Sequence, residues 1–337
     1  MKLKKCLILG FGSMGERHLR AIKKFNFNQI DIVDKNSSRL SVAHTSYKIP
    51  KYNLFTKTSE VKKNYYSLVI IATTADVHLK NFREMSSLSK CILIEKPLAT
   101  SLKDCEIIKK IAKNKNITVA VNHQKRFSSE YFQVKNIIKK YKLKKFINLN
   151  VIGGNAGIAM NGVHFIELFN YFTGSKIKYV SCLLEKQLIK NPRGKKFRDY
   201  AGHLVAENSK KQKLSINMSS TQSHGLNLQY TFQNGILFCD NLTGNYYVSV
   251  RKKKFEKYPS NLYSLPSKDS FMRLKKIDVT QSSSLHISNL LKKKGYVKIP
   301  EAVEAIKVLV AAVESNKNKS KLIKISNANF KVKHKWA

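Results

Sequence analysis

Cys6-Leu7-Ile8-Leu9-Gly10-Phe11-Gly12-Ser13-Met14-Gly15 sets an apolar run directly before three glycines, and Glu16-Arg17-His18-Leu19-Arg20 follows. The apolar run reads as a buried strand. Met14, His18, Ala21, Ile22 and Phe25 then form a helical stripe. The glycines therefore stand where a strand hands over to a helix, with the spacing G-x-G-x-x-G. Gly10 makes the tight turn, Gly12 lets backbone approach a pyrophosphate, and Gly15 allows close helix–strand packing. Ser13 and Met14 open the helix, whose unpaired N–H groups and positive dipole end suit phosphate. A second strand-like run, Ile30-Asp31-Ile32-Val33-Asp34, ends in an acid nineteen residues after Gly15. A carboxylate there accepts hydrogen bonds from ribose hydroxyls and repels a 2′-phosphate, which favours NAD. Lys35 and Arg39 are cations able to accommodate that phosphate, so NADP is the alternative. A plain glycine-rich loop with a surface acid is the competing structural reading.

Working outward, residues 1–122 alternate β-rich runs (6–9, 29–33, 67–72, 91–94 and 117–121) with helical patterns such as "ADVHLKNFREMSSL" and "SLKDCEIIKKIAKNK". Such alternation predicts a parallel sheet with helical crossovers. The strands are almost continuously apolar, as when both sheet faces are covered. After Asn122 the character changes. An amphipathic helix at "SSEYFQVKNIIKKY" and a strand at "KFINLNVIGG" precede a helix, "NGVHFIELFNYFTG", closed by Gly174. From 176 to about 256 strand follows strand, with turns at Asn234-Gly235 and Thr243-Gly244, which predicts an antiparallel sheet. A strong helix from Pro300 and a short strand at 321–325 close the chain, while 257–284 reads as irregular. The expected fold class is α/β: a Rossmann domain with a parallel sheet over 1–122, then an α/β domain with an open, mostly antiparallel sheet over 123–337. The last helix and strand are candidates to pack back toward the first domain.

The 337 residues carry a net charge of +42, but the lysines are spread from end to end. The two local runs, 251–254 and 292–294, read as a hairpin tip and a helix end, both solvated. No helix-turn-helix or RNA-recognition signature accompanies the charge, so a specific nucleic-acid role is not expected. Cysteines 6, 91, 105, 182 and 239 show no metal spacing and no C-x-x-C, and read as small buried residues in a reducing, cytoplasmic setting. No metal site is expected. The apolar part of "MKLKKCLILGFG" is too short for an export signal and lacks a cleavage site. No run approaches the roughly 20 apolar residues of a membrane span.

Glu95-Lys96-Pro97 follows the apolar run Ile92-Leu93-Ile94. Together with the glycine turn, this motif resembles the Gfo/Idh/MocA family of NAD(P)-dependent oxidoreductases. "ATTADVH" resembles the family segment ending in a histidine near the cofactor, which implies Thr73 and His78 as cofactor residues. "VNHQKRF" resembles the crossover to the second domain. "NGVHFIELFNYFTG" resembles the substrate-domain helix with its histidine, here His164, and the closing "AAVESNKNKSKLIKI" resembles the last helix and strand. The resemblance is specific over the first 130 residues and looser beyond. "GSMGERHLR" is weakly reminiscent of members tied to surface-glycan biosynthesis.

The resemblance implies an active site between the two domains, hydride exchange at a hydroxyl-bearing carbon of a sugar, nucleotide sugar or cyclitol, and a catalytic lysine at Lys96. Chemistry asks for such a group, because hydride leaves a carbinol carbon only as the hydroxyl proton is taken up. A lysine does this once its pKa falls from about 10.4 toward neutrality. Burial and an oxidised nicotinamide push it down; Glu95 opposes the shift, so its expected role is orientation. His164 is expected to assist as acid or base. The family motif commonly carries an Asp four residues before this histidine, where this chain has Met160, and an acid three after, here Glu167. Asn122, Arg126 and Asn161 complete the expected substrate residues; Arg126 is read equally as a salt bridge. His18 is expected to pack rather than catalyse. The resemblance also implies a homo-oligomer, dimer or tetramer, formed on the open sheet. Two alternatives accompany this: a non-catalytic NAD-binding sensor, motivated by Met160, and a sugar epimerase or lyase with retained NAD.

Overall fold

In the computed structural model, which describes residues 4–61, 65–191, 193–259, 267–273, 278–332 and 334–336, the run before the glycines is strand β1 (Lys5–Leu9) and the stripe after them is helix α1 (Ser13–Ile22). There follow β2 (Gln29–Val33), α2 (Ser37–Tyr47), β3 (Leu54–Phe55), β4 (Leu68–Ile71), α3 (His78–Met85), β5 (Cys91–Ile94), α4 (Leu102–Asn114) and β6 (Thr118–Val121). The six strands pair in parallel in the order β3-β2-β1-β4-β5-β6. Every residue of β4 is buried, as expected for a strand covered on both faces. The N-cap hydroxyl of Ser101 accepts the Asp104 amide and starts α4.

The rest of the chain forms α5 (Ser129–Lys140), β7 (Phe146–Gly154), a π-helical turn (Ile158–Gly162), α6 (Val163–Thr173), β8 (Ile177–Leu188), β9 (Tyr200–Asn208), β10 (Lys213–Ser219), β11 (Asn227–Phe232), β12 (Gly235–Asp240), β13 (Asn245–Arg251), β14 (Ser267–Arg273), α7 (Val279–Leu291), α8 (Ile299–Lys317) and β15 (Ile323–Lys324). Among the described residues the second sheet runs β14-β13-β12-β11-β7-β10-β9-β8-β15. Only β7 with β10 is a parallel pair there; the other neighbours are antiparallel. Leu149 and Val151 point to the buried face while Ile152 stands on the other, so period-two alternation sets the register. Gly174 caps α6 at φ +58.

The chain divides into two compact units: 1–127 with 279–306 and 330–337, and 128–278 with 307–329. The part after Asn122 is thus not one continuous domain, since α7 and the first turns of α8 group with the parallel sheet. Ile287 and Leu290 of α7 belong to the same core as Ile8 of β1, Leu19 and Ile22 of α1 and Ile32 of β2. The stretch read as irregular, 257–284, therefore contains β14 and the start of α7; its residues 260–266 and 274–277 lie outside the described residues. The short closing strand is confined to Ile323–Lys324. The lysines of 252–254 and 292–294 are exposed. All five cysteines are free, and burial pushes the thiols of Cys91, Cys105 and Cys182 up to about 12, which leaves them poor nucleophiles. Among the described residues no cluster could hold a metal ion, and no helix is long and apolar enough to cross a membrane.

Candidate functional site

Gly10 sits at φ +92, and a Cβ there would fall 2.9 Å from the backbone of Ala72 and Thr73. Both the turn and the close approach of the β4 end thus demand glycine. At Gly15 a Cβ would stand 2.0 Å from the Gly10 carbonyl oxygen, so α1 lies against the turn only because that atom is missing. Gly12 is the N-cap of α1 with no side-chain cap, which leaves the amides of its first turn, from Ser13 and Met14 on, as donors for an anion. The atoms nearest a Cβ at Gly12 are those of the flexible Arg39 guanidinium, 2.7 Å away. These features fit a dinucleotide pyrophosphate.

Asp34, just beyond β2, is 8% exposed. Its Oδ2 accepts the Phe11 amide at 2.6 Å and its Oδ1 the Asn36 amide at 2.8 Å, which ties the second strand end to the glycine turn. Arg39 Nη1 lies 3.8 Å from Asp34 Oδ2. An acid and a cation thus share one corner beside the glycine turn.

Glu95 and Lys96 follow β5, two places from β1 in the sheet; the Lys96–Pro97 bond is cis. Both residues are buried, at 2% and 7% exposed. Glu95 Oε1 lies 2.7 Å from His18 Nε2 of α1 and accepts the Asn122 amide at 2.7 Å. Its Oε2 accepts the Lys96 backbone N–H at 3.3 Å. Burial alone would raise the Glu95 carboxyl; the His18 and Asn122 hydrogen bonds and the Lys96 charge outweigh it and bring it down to about 2. His18 thus packs, as expected, and also grips the motif. Beside it, His123 is fully buried, and desolvation, then the Lys96 and Arg126 charges, lower it to about 3.

Three of the expected ligand residues have side-chain partners within this unit. Asn122, 1% exposed, engages both ends of its amide, with Glu95 and with His286 Nδ1 at 3.2 Å. Arg126 takes the salt-bridge reading, 2.9 Å from Glu301 Oε1. His78 is fully buried, with Nε2 3.0 Å from the Thr73 carbonyl and Nδ1 3.1 Å from that of Leu98. It clasps the loops after β4 and β5. Asn81 donates to the Thr73 hydroxyl at 2.8 Å and steadies the same loop. Sequence reasoning missed His123 and His286. His123 adjoins Asn122 at the end of β6, whereas His286 lies on α7, just beyond the stretch read as irregular.

Asn161, His164 and Glu167 belong to the other unit, on the π-helical turn and α6. Glu167 is 2% exposed and one helical turn from His164. Asn161 closes the turn through its backbone amide on the Gly157 carbonyl at 2.9 Å.

Residues 4–123 match the family model described as an oxidoreductase family with an NAD-binding Rossmann fold. Over these residues the chain is similar to the Gfo/Idh/MocA family. It is 26% identical over 137 residues to the inositol 2-dehydrogenase of Salmonella typhimurium; the match spans 40% of this chain and 41% of that protein. It is 22% identical over 154 residues to the scyllo-inositol 2-dehydrogenase (NADP(+)) of Bacillus subtilis, over 41% and 38% of the two chains. The chain therefore spans about two fifths of these curated relatives. Across its length the fold is similar to an Agrobacterium radiobacter oxidoreductase solved with NAD+, L-tartaric acid and magnesium (TM-score 0.77, 14% identity, 97% and 99% of the two chains). It is likewise similar to the apo scyllo-inositol dehydrogenase of Lactobacillus casei (TM-score 0.72, 13% identity, 97% and 100%).

Proposed function

We propose that the protein is an NAD(H)-dependent oxidoreductase acting at a hydroxyl-bearing carbon of a cyclitol, sugar or nucleotide sugar. One observation carries the reading: the buried Glu95-Lys96 pair ends a strand two places from the glycine turn, roughly 10 Å across the sheet. Bound NAD supplies the hydride acceptor. The first-turn amides of α1 hold the pyrophosphate, and Asp34 orients the adenosine ribose. Asp34 favours NAD; Arg39, at the same corner, keeps NADP as the alternative. Lys96 takes the hydroxyl proton as the hydride departs, and its burial favours the neutral amine this step needs. Asn161, His164 and Glu167 serve the substrate side, with His164 as the second acid–base group. The two inositol dehydrogenase relatives support a cyclitol first.

The test is NADH absorbance from purified protein, NAD+ and a panel of inositols, sugars and nucleotide sugars. Lys96→Met is expected to lower turnover by about 100-fold or more, with NAD+ affinity little changed. Near-normal turnover in that variant would remove Lys96 from the mechanism, and absence of any dinucleotide affinity would remove the whole reading. Met160 favours a second reading, a non-catalytic NAD sensor, which predicts binding without turnover on every polyol. Retained NAD with epimerisation or elimination predicts product without accumulating NADH.

We further propose a cytoplasmic homo-oligomer joined on the outer face of the larger sheet. Phe271, Tyr247, Phe238, Gln229, Asn150, Ser215 and Val205 form one cross-strand row, and Ile152 and Leu183 lie in the next. Phe271 and Leu183 are 67% and 64% exposed, so the face presents large apolar side chains.

A further inference from the structure

We propose that Asn122 and His286, with His18, are positioning residues forming a directional hydrogen-bond relay that holds Glu95 Oε1 and disperses the carboxylate charge felt by Lys96. This rests on the reading of Lys96 as the proton carrier.

The direction follows from one fixed donor. The Val297 backbone N–H can only donate, and it lies 3.1 Å from His286 Nε2, which must therefore accept. His286 is fully buried and stacked on Phe127 at 4.3 Å. Desolvation, then the Arg126 charge, keep its ring neutral. The single ring proton then sits on Nδ1 and is donated to Asn122 Oδ1 at 3.2 Å. That fixes the Asn122 amide, whose NH2 faces Glu95 Oε1 at 2.7 Å. His18 Nε2 loads the same oxygen at 2.7 Å.

A carboxylate beside an amine holds the amine's proton in place. Two donors on one carboxylate oxygen disperse its negative charge and weaken that hold. The ionisable groups that bear on one another here are Glu95 and Lys96 after β5, His18 on α1, His123 and Arg126 after β6, and His286 on α7. Glu301 at the start of α8 pairs with Arg126 at 2.9 Å. A relay that only stapled α7 to the sheet would leave the protonation of Lys96 unmoved, and this separates the two roles.

The experiment is competitive acetylation of the full-length protein with trace acetic anhydride across pH, reading the Lys96 peptide by mass spectrometry. Asn122→Leu and His286→Leu are expected to move the Lys96 profile to higher pH, with about tenfold less labelling at a fixed pH on the rising limb. His286→Gln, whose amide can accept from Val297 and donate to Asn122, is expected to restore it. An unchanged Lys96 profile in a folded, NAD+-binding Asn122→Leu protein overturns the proposal. If the leucine variants do not fold, the wild-type nitrogen-15 spectrum decides. His286 protonated on Nδ1 alone supports the relay, and the other tautomer or an imidazolium at neutral pH overturns it. Failure of the Lys96 reading shows separately, as normal turnover in Lys96→Met with these results unaltered.

Discussion

The carboxylate of Asp199 accepts the backbone N–H of Met160 at 2.7 Å and, through its other oxygen, that of Ala159 at 3.0 Å. The family resemblance puts an acid at position 160. Here the carboxylate reaches the turn from the residue before β9 and caps the π-helical turn leading into α6. A Cβ at Gly157 would fall 1.9 Å from it, so the loop makes room for the acid. Asp199→Ala leaves two amides at a buried turn without their acceptor. The expected loss is about 2 kcal/mol, partly recovered in Asp199→Asn. Urea unfolding measures it, and the His164 imidazole signals should move as the turn loosens.

Gly15→Ala tests the turn that cradles the dinucleotide. The new methyl would meet the Gly10 carbonyl oxygen at 2.0 Å, which is backbone and cannot swing aside. α1 must move off β1, at about 1–3 kcal/mol. NAD+ affinity should fall at least about tenfold as the donor amides leave register. Calorimetric titration with NAD+ beside thermal unfolding reads both, and unchanged affinity would put the phosphates elsewhere.

Acid should loosen the first unit in two stages. His123 is depressed to about 3 and His286 well below its usual value, so the unfolded chain binds their protons first. Stability falls as pH drops below about 6.5. The Glu95 contribution, present above about 4.5, is lost as pH falls toward its folded value of about 2. Urea midpoints from pH 7.5 down to 4 should therefore decline, and His123→Gln should flatten the upper part of the slope. A flat profile would place these rings in water.

Leu183→Asp and Phe271→Asp place charge on the exposed sheet face without touching the core. Sedimentation should show the wild type as an oligomer and the variants shifted toward monomer, each with normal NAD+ affinity. A monomeric wild type would remove the proposed interface.

Five strands of the parallel sheet were legible as short apolar runs with helix signals between most of them, and the glycine turn joins the first run to its helix; β3, only Leu54–Phe55, left no run to read. Glu95-Lys96-Pro97 was legible as a motif. α7 was not, because "VTQSSSLHISNLL" carries serines in its first turns, a residue that competes for backbone hydrogen bonds and reads as turn. In the structure those small side chains allow close packing: the Ser284 hydroxyl donates to the Ala21 carbonyl, and Ser283 bonds Gln124 at 3.2 Å. Asp199 had no local signature, since its partners lie 39 and 40 residues away. His286 was not singled out, and its partners lie 164 and 11 residues away. Side chains that act across long sequence separations leave no periodicity to find.

The first unit's dependence on 279–306 bears on how the chain comes off the ribosome. Val121 donates its amide to the Val297 carbonyl at 3.0 Å, and Asn122 awaits His286. Synthesis is vectorial, yet the first 127 residues emerge with their last strand still missing a neighbour, and translation must run past Lys298 before that gap closes. A gene truncated after Phe127 would accordingly yield a nascent product that engages chaperones and proteases, not a small autonomous nucleotide-binding module.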